Sequence, residues 1–187
     1  MKRSYGGALL CVLLSACAYN EVPGEGGYLI TASYRATDAL IAVGKPHLDP
    51  GKPIIVATIV DIDDLERSST LGRHVSEAVS ARFTQHQYQM IEMKFQNSVY
   101  MKRDEGELML TRQVRDIANA HRAQAVIVGT YSRASTTVLV NLKVVLPESN
   151  IVIAAHDYPL PMTRDVCTLL TRDARSCVEG WSDRLAY

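Results

Sequence analysis

The sequence predicts an α/β fold, a mixed β-sheet of about five strands packed against two to three amphipathic helices and ending in a β-hairpin. Three observations carry this. Ile54 to Val60 and Ala125 to Tyr131 are continuous runs rich in β-branched residues, the pattern of strands buried on both faces. Segments with apolar residues at helical spacing alternate with them, as in units where helices cover a sheet. After the second run, two stretches around Pro147-Glu148-Ser149-Asn150 read as an antiparallel pair with one face on the core.

The chain begins with an address. Lys2 and Arg3 precede the apolar run Ala8 to Leu14, which is far shorter than the roughly 20 residues that cross about 30 Å of hydrocarbon. The run ends in Leu14-Ser15-Ala16-Cys17, which resembles the lipobox of bacterial lipoproteins. That resemblance implies cleavage of the signal peptide 1–16, a diacylglycerol thioether on Cys17 and acylation of the new amino terminus. At about 0.8 kcal/mol per buried methylene, two or three acyl chains on one residue make attachment effectively permanent. Ala18 stands where an Asp favours inner-membrane retention, so the sorting rule of the class points to the outer membrane, with the domain facing the periplasm. Residues 17–27, small, polar and rich in glycine, form the lipidated tether.

The domain then runs from 28 to 162. Tyr28 to Val43 places Tyr34, Leu40 and Ile41 at helical intervals until Gly44-Lys45-Pro46 and Asp49-Pro50-Gly51 break the chain. The strand Ile54–Val60 follows, then a polar loop from Asp61 to Thr70. A helix from Ser69 to His86 carries Leu71, Val75, Ala78, Val79 and Phe83 on one face, with Ser69 or Thr70 as the N-cap. Tyr88 to Met93 reads as a short strand, Lys102 to Gly106 as a connection, and Glu107 to His121 as a helix with Leu110, Val114, Ile117 and Ala118 in register. Ala125 to Tyr131 is the third strand. Thr136 to Val145 alternates Val138, Val140, Leu142 and Val144 against Thr137, Asn141 and Lys143, and Ile151 to Tyr158 returns beside it. The extension 163–187 offers short helices at Arg164–Leu170 and Ala174–Arg184, pinned by Cys167 and Cys177, an even pair that reads as a disulfide in an oxidising compartment.

Composition excludes several functions. Twenty Lys and Arg balance twenty Asp and Glu, and loss of the leader leaves 18 basic against 20 acidic residues. Such a surface has no field for nucleic acid. Asp61-Ile62-Asp63-Asp64-Leu65-Glu66 is acidic enough to suggest a cation loop, but a calcium loop needs glycine at the sixth position and Glu at the twelfth, where Glu66 and Gly72 stand. His47, His74, His86, His121 and His156 are scattered, and neither a nucleophile elbow nor a phosphate-binding glycine loop appears. No catalytic residue, metal site or cofactor is therefore assigned.

Six ordered stretches carry a family resemblance. They are Tyr34 to Leu40, Asp63 to Arg73, Ser80 to Gln85, Val114 to Ala118, Gln124 to Tyr131 and His156 to Pro161. Together they resemble the FlgO family of flagellar outer-membrane lipoproteins over roughly residues 28 to 162. The resemblance implies a non-catalytic protein needed for motility, whose partners are other flagellar outer-membrane or periplasmic ring proteins. Homo-oligomerisation stays open, as does the alternative of a lipid-anchored periplasmic binding or envelope-maintenance factor unrelated to flagella. The strand-to-helix turn is the candidate protein-binding edge: Asp63, Asp64 and Glu66, with Arg67 or Arg73 to pair with them, lie where an α/β sheet gathers its binding loops. The carboxylates are also expected to cap the helix that follows.

Overall fold

The apolar runs lie at the centre of the sheet. In the computed structural model, which describes residues 25–93, 100–102 and 108–171, Ile54–Ala57 (β1) pairs in parallel with Met90–Met93 (β3) and with Ala125–Arg133 (β6). Thr137–Val145 (β7) and Val152–Pro161 (β8) add antiparallel strands, giving the order β3-β1-β6-β7-β8, with the two-residue strand Val60–Asp61 (β2) also on β6. The expected mixed α/β sheet is present.

Helices cover its two faces unequally. Glu25–Gly44 (α1), Thr70–Gln85 (α2) and Arg164–Thr171 (α4) share one core with the sheet, where Leu40, Ile54, Leu71, Phe83 and Leu142 are fully buried. Arg112–Ala120 (α3) covers the other face only over β1, β6 and the end of β7, packing Val114 and Ala118 on Ile55, Val126, Val128 and Val145. Beyond Val145 no described helix lies over that face of β7 and β8. Residues Glu25 to Gly27, expected in the tether, already belong to α1, where Thr31 Oγ1 donates to Gly27 O at 2.8 Å.

The run Ile54 to Val60 is not one strand. Val56 pairs with Ile127 and Val60 with Thr130, so four steps face three and one residue is extra, a bulge in a parallel pair. Helix α2 takes over the displaced backbone. Ser76 Oγ accepts the Ile59 N–H at 3.0 Å and itself donates to Gly72 O at 2.9 Å, and Ser68 Oγ donates to Ile59 O at 3.2 Å. So close an approach requires Gly72: a Cβ there would sit 2.1 Å from Ile59 O. On the other side a Cβ at Gly129 would meet Asn141 O at 2.4 Å and Ile59 Cδ1 at 2.9 Å. β-branching announces an extended run and says nothing of hydroxyls on a later helix that bend it.

A second difference lies before α3. Leu108–Leu110 (β5) pairs antiparallel with Tyr100–Lys102 (β4), and the helix begins only at Arg112, capped by Thr111 Oγ1 accepting the Val114 N–H at 3.3 Å. Leu110, buried just before the cap, enters the same core as Val114 and so appears in phase with a helix it precedes. The expected helix at Ala174–Arg184 lies outside the described residues. Ser69 is the N-cap of α2, its Oγ accepting the Gly72 N–H at 3.1 Å.

Two side-chain systems fix α1. Asp38 accepts from Arg82 Nε at 2.7 Å and Nη2 at 2.9 Å, His86 Nε2 lies 2.9 Å from its Oδ1, and the Arg82 guanidinium sits 5.4 Å from the Tyr34 ring centre. The paired hydrogen bonds from Arg82, with His86 adding to them against a smaller opposing effect of burial, hold the Asp38 carboxyl below its ordinary pKa. Toward β8, Ser33 Oγ and Tyr158 Oη lie 3.0 Å apart in a buried contact. Burial pushes the Tyr158 phenol up to about 12, only partly offset by Ser33.

The outer edge of β8 is blunted. Met162 N–H donates to Thr136 O at 2.8 Å, and stepping by two from that pair points Leu160, Tyr158 and His156 toward β7 and leaves Ala155, Asp157, Pro159 and Pro161 facing outward. The two prolines present no N–H there, which limits pairing by another strand.

Two outcomes follow. Replacing Gly72 with Ala destabilises the fold by about 2–3 kcal/mol in chemical denaturation, although Ala in an unconstrained helix is about 1 kcal/mol better than Gly. Unchanged stability would contradict the tight approach to Ile59. Because the folded Asp38 pKa is lowered, its contribution is full above the unfolded value of about 3.9 and is lost as pH falls through the lower folded value. Asp38→Asn therefore reduces the melting temperature at neutral pH, and its deficit from wild type shrinks in melts below about pH 4.

Candidate protein-docking site

The loop after β2 closes on itself before reaching α2. Asp61 N–H donates to Arg67 O and Arg67 N–H to Asp64 O, both at 2.9 Å, while Asp61 Oδ1 and Asp64 Oδ1 accept from the amides of Asp63 and Glu66 at 3.0 and 3.3 Å. These are side-chain turns of the kind Asp forms with the backbone two residues on. The expected pairing within the motif is different here. Arg67 Nη2 lies 3.5 Å from Asp61 Oδ2, outside the candidate set, and Arg73 Nη2 donates to Thr70 Oγ1 at 3.0 Å. The carboxylates do not cap α2 either: the hydroxyl of Ser69 does, because the turn ends several residues before the helix begins. Asp63, Asp64 and Glu66 are left exposed at the C-terminal ends of parallel strands β2 and β6.

The same loop places an apolar residue. Ile62 N–H donates to Tyr131 O at 2.9 Å, extending β2 by one bond and leaving the Ile62 side chain 40% exposed. Beneath it Tyr131 is buried against Ser69, and burial raises its pKa. Ile62 forms one wall of a groove of about 370 Å³ across the face of β6, β7 and β8 that α3 leaves open. Thr130, Ser132, Leu139, Val140, Asn141, Asp157, Tyr158 and Pro159 complete the lining. Leu139 is 52% exposed, and Asn141 Nδ2 donates to Asp157 Oδ1 on the floor.

Asp63, Asp64, Glu66 and Arg67 share the exposed loop that supplies Ile62 to the groove but do not line it; Arg73 is turned toward Thr70 on the first turn of α2. Sequence reasoning missed Ile62, Leu139 and Pro159. One signal was available: Leu139 is an apolar residue flanked by Thr137 and Asn141 on the more polar face of its strand. Among the described residues no group of three or more His, Cys, Asp and Glu could hold a metal ion, and no helix is long and apolar enough to cross a membrane. Cys167 is buried in α4, while Cys17 and Cys177 lie outside the described residues. An apolar groove next to a loop with exposed carboxylates suits contact with a protein surface, with exclusion of water at the centre and charge outside it.

The fold is similar to that of the LpoB C-terminal domain from Salmonella enterica, with a TM-score of 0.52 and 10% identity over 70% of this chain and 96% of that one. Weaker matches include the LpoB C-terminal domain from Escherichia coli, with a TM-score of 0.46 and 11% identity over 70% and 96% of the two chains. Another is the PelC dodecamer from Paraburkholderia phytofirmans, with a TM-score of 0.44 and 10% identity over 62% and 75%. At such identities the likeness is one of fold alone. No curated protein matches the sequence significantly. The family model described as FlgO protein matches residues 34–165, from the middle of α1 through the sheet to the first turn of α4 and well over half of the sequence. The chain belongs to the FlgO family.

Proposed function

We propose that this chain is a lipid-anchored protein of the outer membrane that acts without catalysis, as a structural or assembly component associated with the bacterial flagellum. Family membership supports the flagellar reading. The observation that carries contact as the mode of action is the open groove lined by Ile62, Leu139 and Pro159, with Ile62 supplied by the loop that exposes Asp63, Asp64 and Glu66. Its partner is another flagellar outer-membrane or periplasmic ring protein, presenting an apolar segment with basic residues to match those carboxylates. Burying a charge against apolar groups in the centre of such a contact costs more than about 2 kcal/mol, or more than 20-fold in affinity.

Deletion of the gene abolishes or strongly reduces swimming. A chain carrying both Ile62→Asp and Leu139→Asp, present at wild-type level, fails to restore it. Normal swimming of the deletion strain would remove the flagellar assignment, and full rescue by the double variant would remove the groove from it. Two covalent features are proposed with this reading: acylation of Cys17 and a disulfide between Cys167 and Cys177. Mass spectrometry of protein extracted from membranes is expected to find a chain beginning at Cys17 with added acyl mass, and to find Cys167 and Cys177 alkylated only after reduction.

A further inference from the structure

The topology places the candidate groove and the start of α1 at one end of the domain. Helix α1 runs antiparallel to β8: Ser33 meets Tyr158 near its beginning, and a Cβ at Gly44 would lie 3.6 Å from Ala154 Cβ at its end. Strand β8 is antiparallel to β7 and β7 to β6, with Arg133, Val138 and Leu160 side by side, and β2 runs parallel to β6 with Asp61 beside Tyr131. The C-terminal ends of β2, β6 and β8 therefore share one pole with the N-terminus of α1. That pole carries Ile62, the exposed carboxylates and the groove. The opposite pole carries the end of α1 and the turn at Glu148 and Ser149.

The length of chain ahead of α1 limits how this body can stand. Glu25 follows Cys17 by eight residues. A flexible chain of that length has an end-to-end distance of about 14–17 Å, and about 29 Å fully extended. Helix α1 has 20 residues, which at 1.5 Å each is about 30 Å. Turning the domain over, so that the far pole faced the bilayer, would lift Glu25 by roughly that helix length and require a fully stretched tether. A stretched tether loses the conformational entropy that a relaxed one keeps.

We propose that the anchored domain stands with the groove pole toward the bilayer, so that the groove and the carboxylate loop at the same pole dock a protein held in the same membrane. This rests on acylation of Cys17. Ile62, Leu139 and Pro159 supply the apolar centre, and Asp63, Asp64 and Glu66 match Lys and Arg on a partner that approaches along the membrane surface.

The acylated full-length chain is reconstituted in phosphatidylethanolamine–phosphatidylglycerol vesicles, with a genetically encoded fluorescent amino acid at Asp63 or at Glu148 and an acceptor on the lipid headgroups. Energy transfer is expected to be clearly greater from position 63, and insertion of a long Gly/Ser segment after Val22 to reduce that difference. Equal or reversed transfer from protein that floats with the vesicles overturns the orientation. Failure to float instead overturns acylation, and the orientation with it. In cells, a photoreactive amino acid at Leu139 is expected to give an adduct that stays with the membrane after this chain's own anchor is cut at a protease site placed after Val22. Release of the adduct, or the lack of one, overturns docking to a membrane-held protein.

Discussion

The bulge at Ile59 is the constraint on which the working surface depends. A parallel strand that continued in register past Ala57 would carry its alternation onward unchanged, and every later side chain would lie on the opposite face. The extra residue at 58–59 shifts that register, and the displaced backbone is satisfied by Ser76 of helix α2 and by Ser68 just ahead of it. Glycine at 72 and 129 provides the room on either side of the Ile59 backbone and side chain. Past the bulge, Val60 and Asp61 rejoin β6 and the Ile62 amide reaches Tyr131 O, which sets Ile62 at the groove. A hydroxyl on α2 thus decides where an apolar contact on the other side of the sheet will stand.

The rest of the fold holds that arrangement from outside. Asp38 with Arg82 and His86 joins α1 to α2, and Ser33 with Tyr158 joins α1 to β8, so α1 ties the helix that supports the bulge to the strand that floors the groove. At the other pole Gln124 clasps the loop before β1: its Oε1 accepts the Asp49 N–H at 2.8 Å and its Nε2 donates to Asp49 O and Lys52 O at 2.6 and 2.8 Å. The outward prolines of β8 leave few free N–H groups beside the groove. Recognition there consequently rests on side chains more than on extension of the sheet.

Much of this was legible because burial dominates pattern. Strands enclosed on both faces need continuous apolar runs, so Ile54 to Ala57 and Ala125 to Tyr131 announced themselves, and the helices α1 and α2 showed in their spacing. What was not legible comes from partners distant in sequence. The break at Thr58 and Ile59 depends on serines further along, and the start of α3 on Thr111 competing with a leucine that packs in the same core. The groove was not legible for the same reason. Charges in a loop can be read directly, whereas Ile62, Leu139 and Pro159 become one surface only when the topology brings β2, β7 and β8 together and α3 stops short of them.

The resemblance stretches can now be divided by what their residues do inside the fold. Asp38 and Arg82 form the clamp, Ser68, Ser69 and Gly72 serve the bulge and the cap, Gln124 anchors a loop, Gly129 admits Ile59, and Pro159 and Pro161 blunt an edge. Asp64 closes its own turn. The side chains of Asp63 and Glu66 make no hydrogen bond or ion pair with other described residues, and they lie in the loop that supplies Ile62 to the apolar groove. A fold gains little from two solvated carboxylates next to exposed Ile62, because isolated surface charges contribute almost nothing to stability. Their placement suits the encounter proposed above. Acidic groups beside an apolar centre draw in a basic partner and fix its register, while the desolvated centre supplies affinity. The near-zero net charge of the sequence conceals this local cluster, since an average over the whole chain does not register the exposed carboxylates of Asp63, Asp64 and Glu66 in one loop.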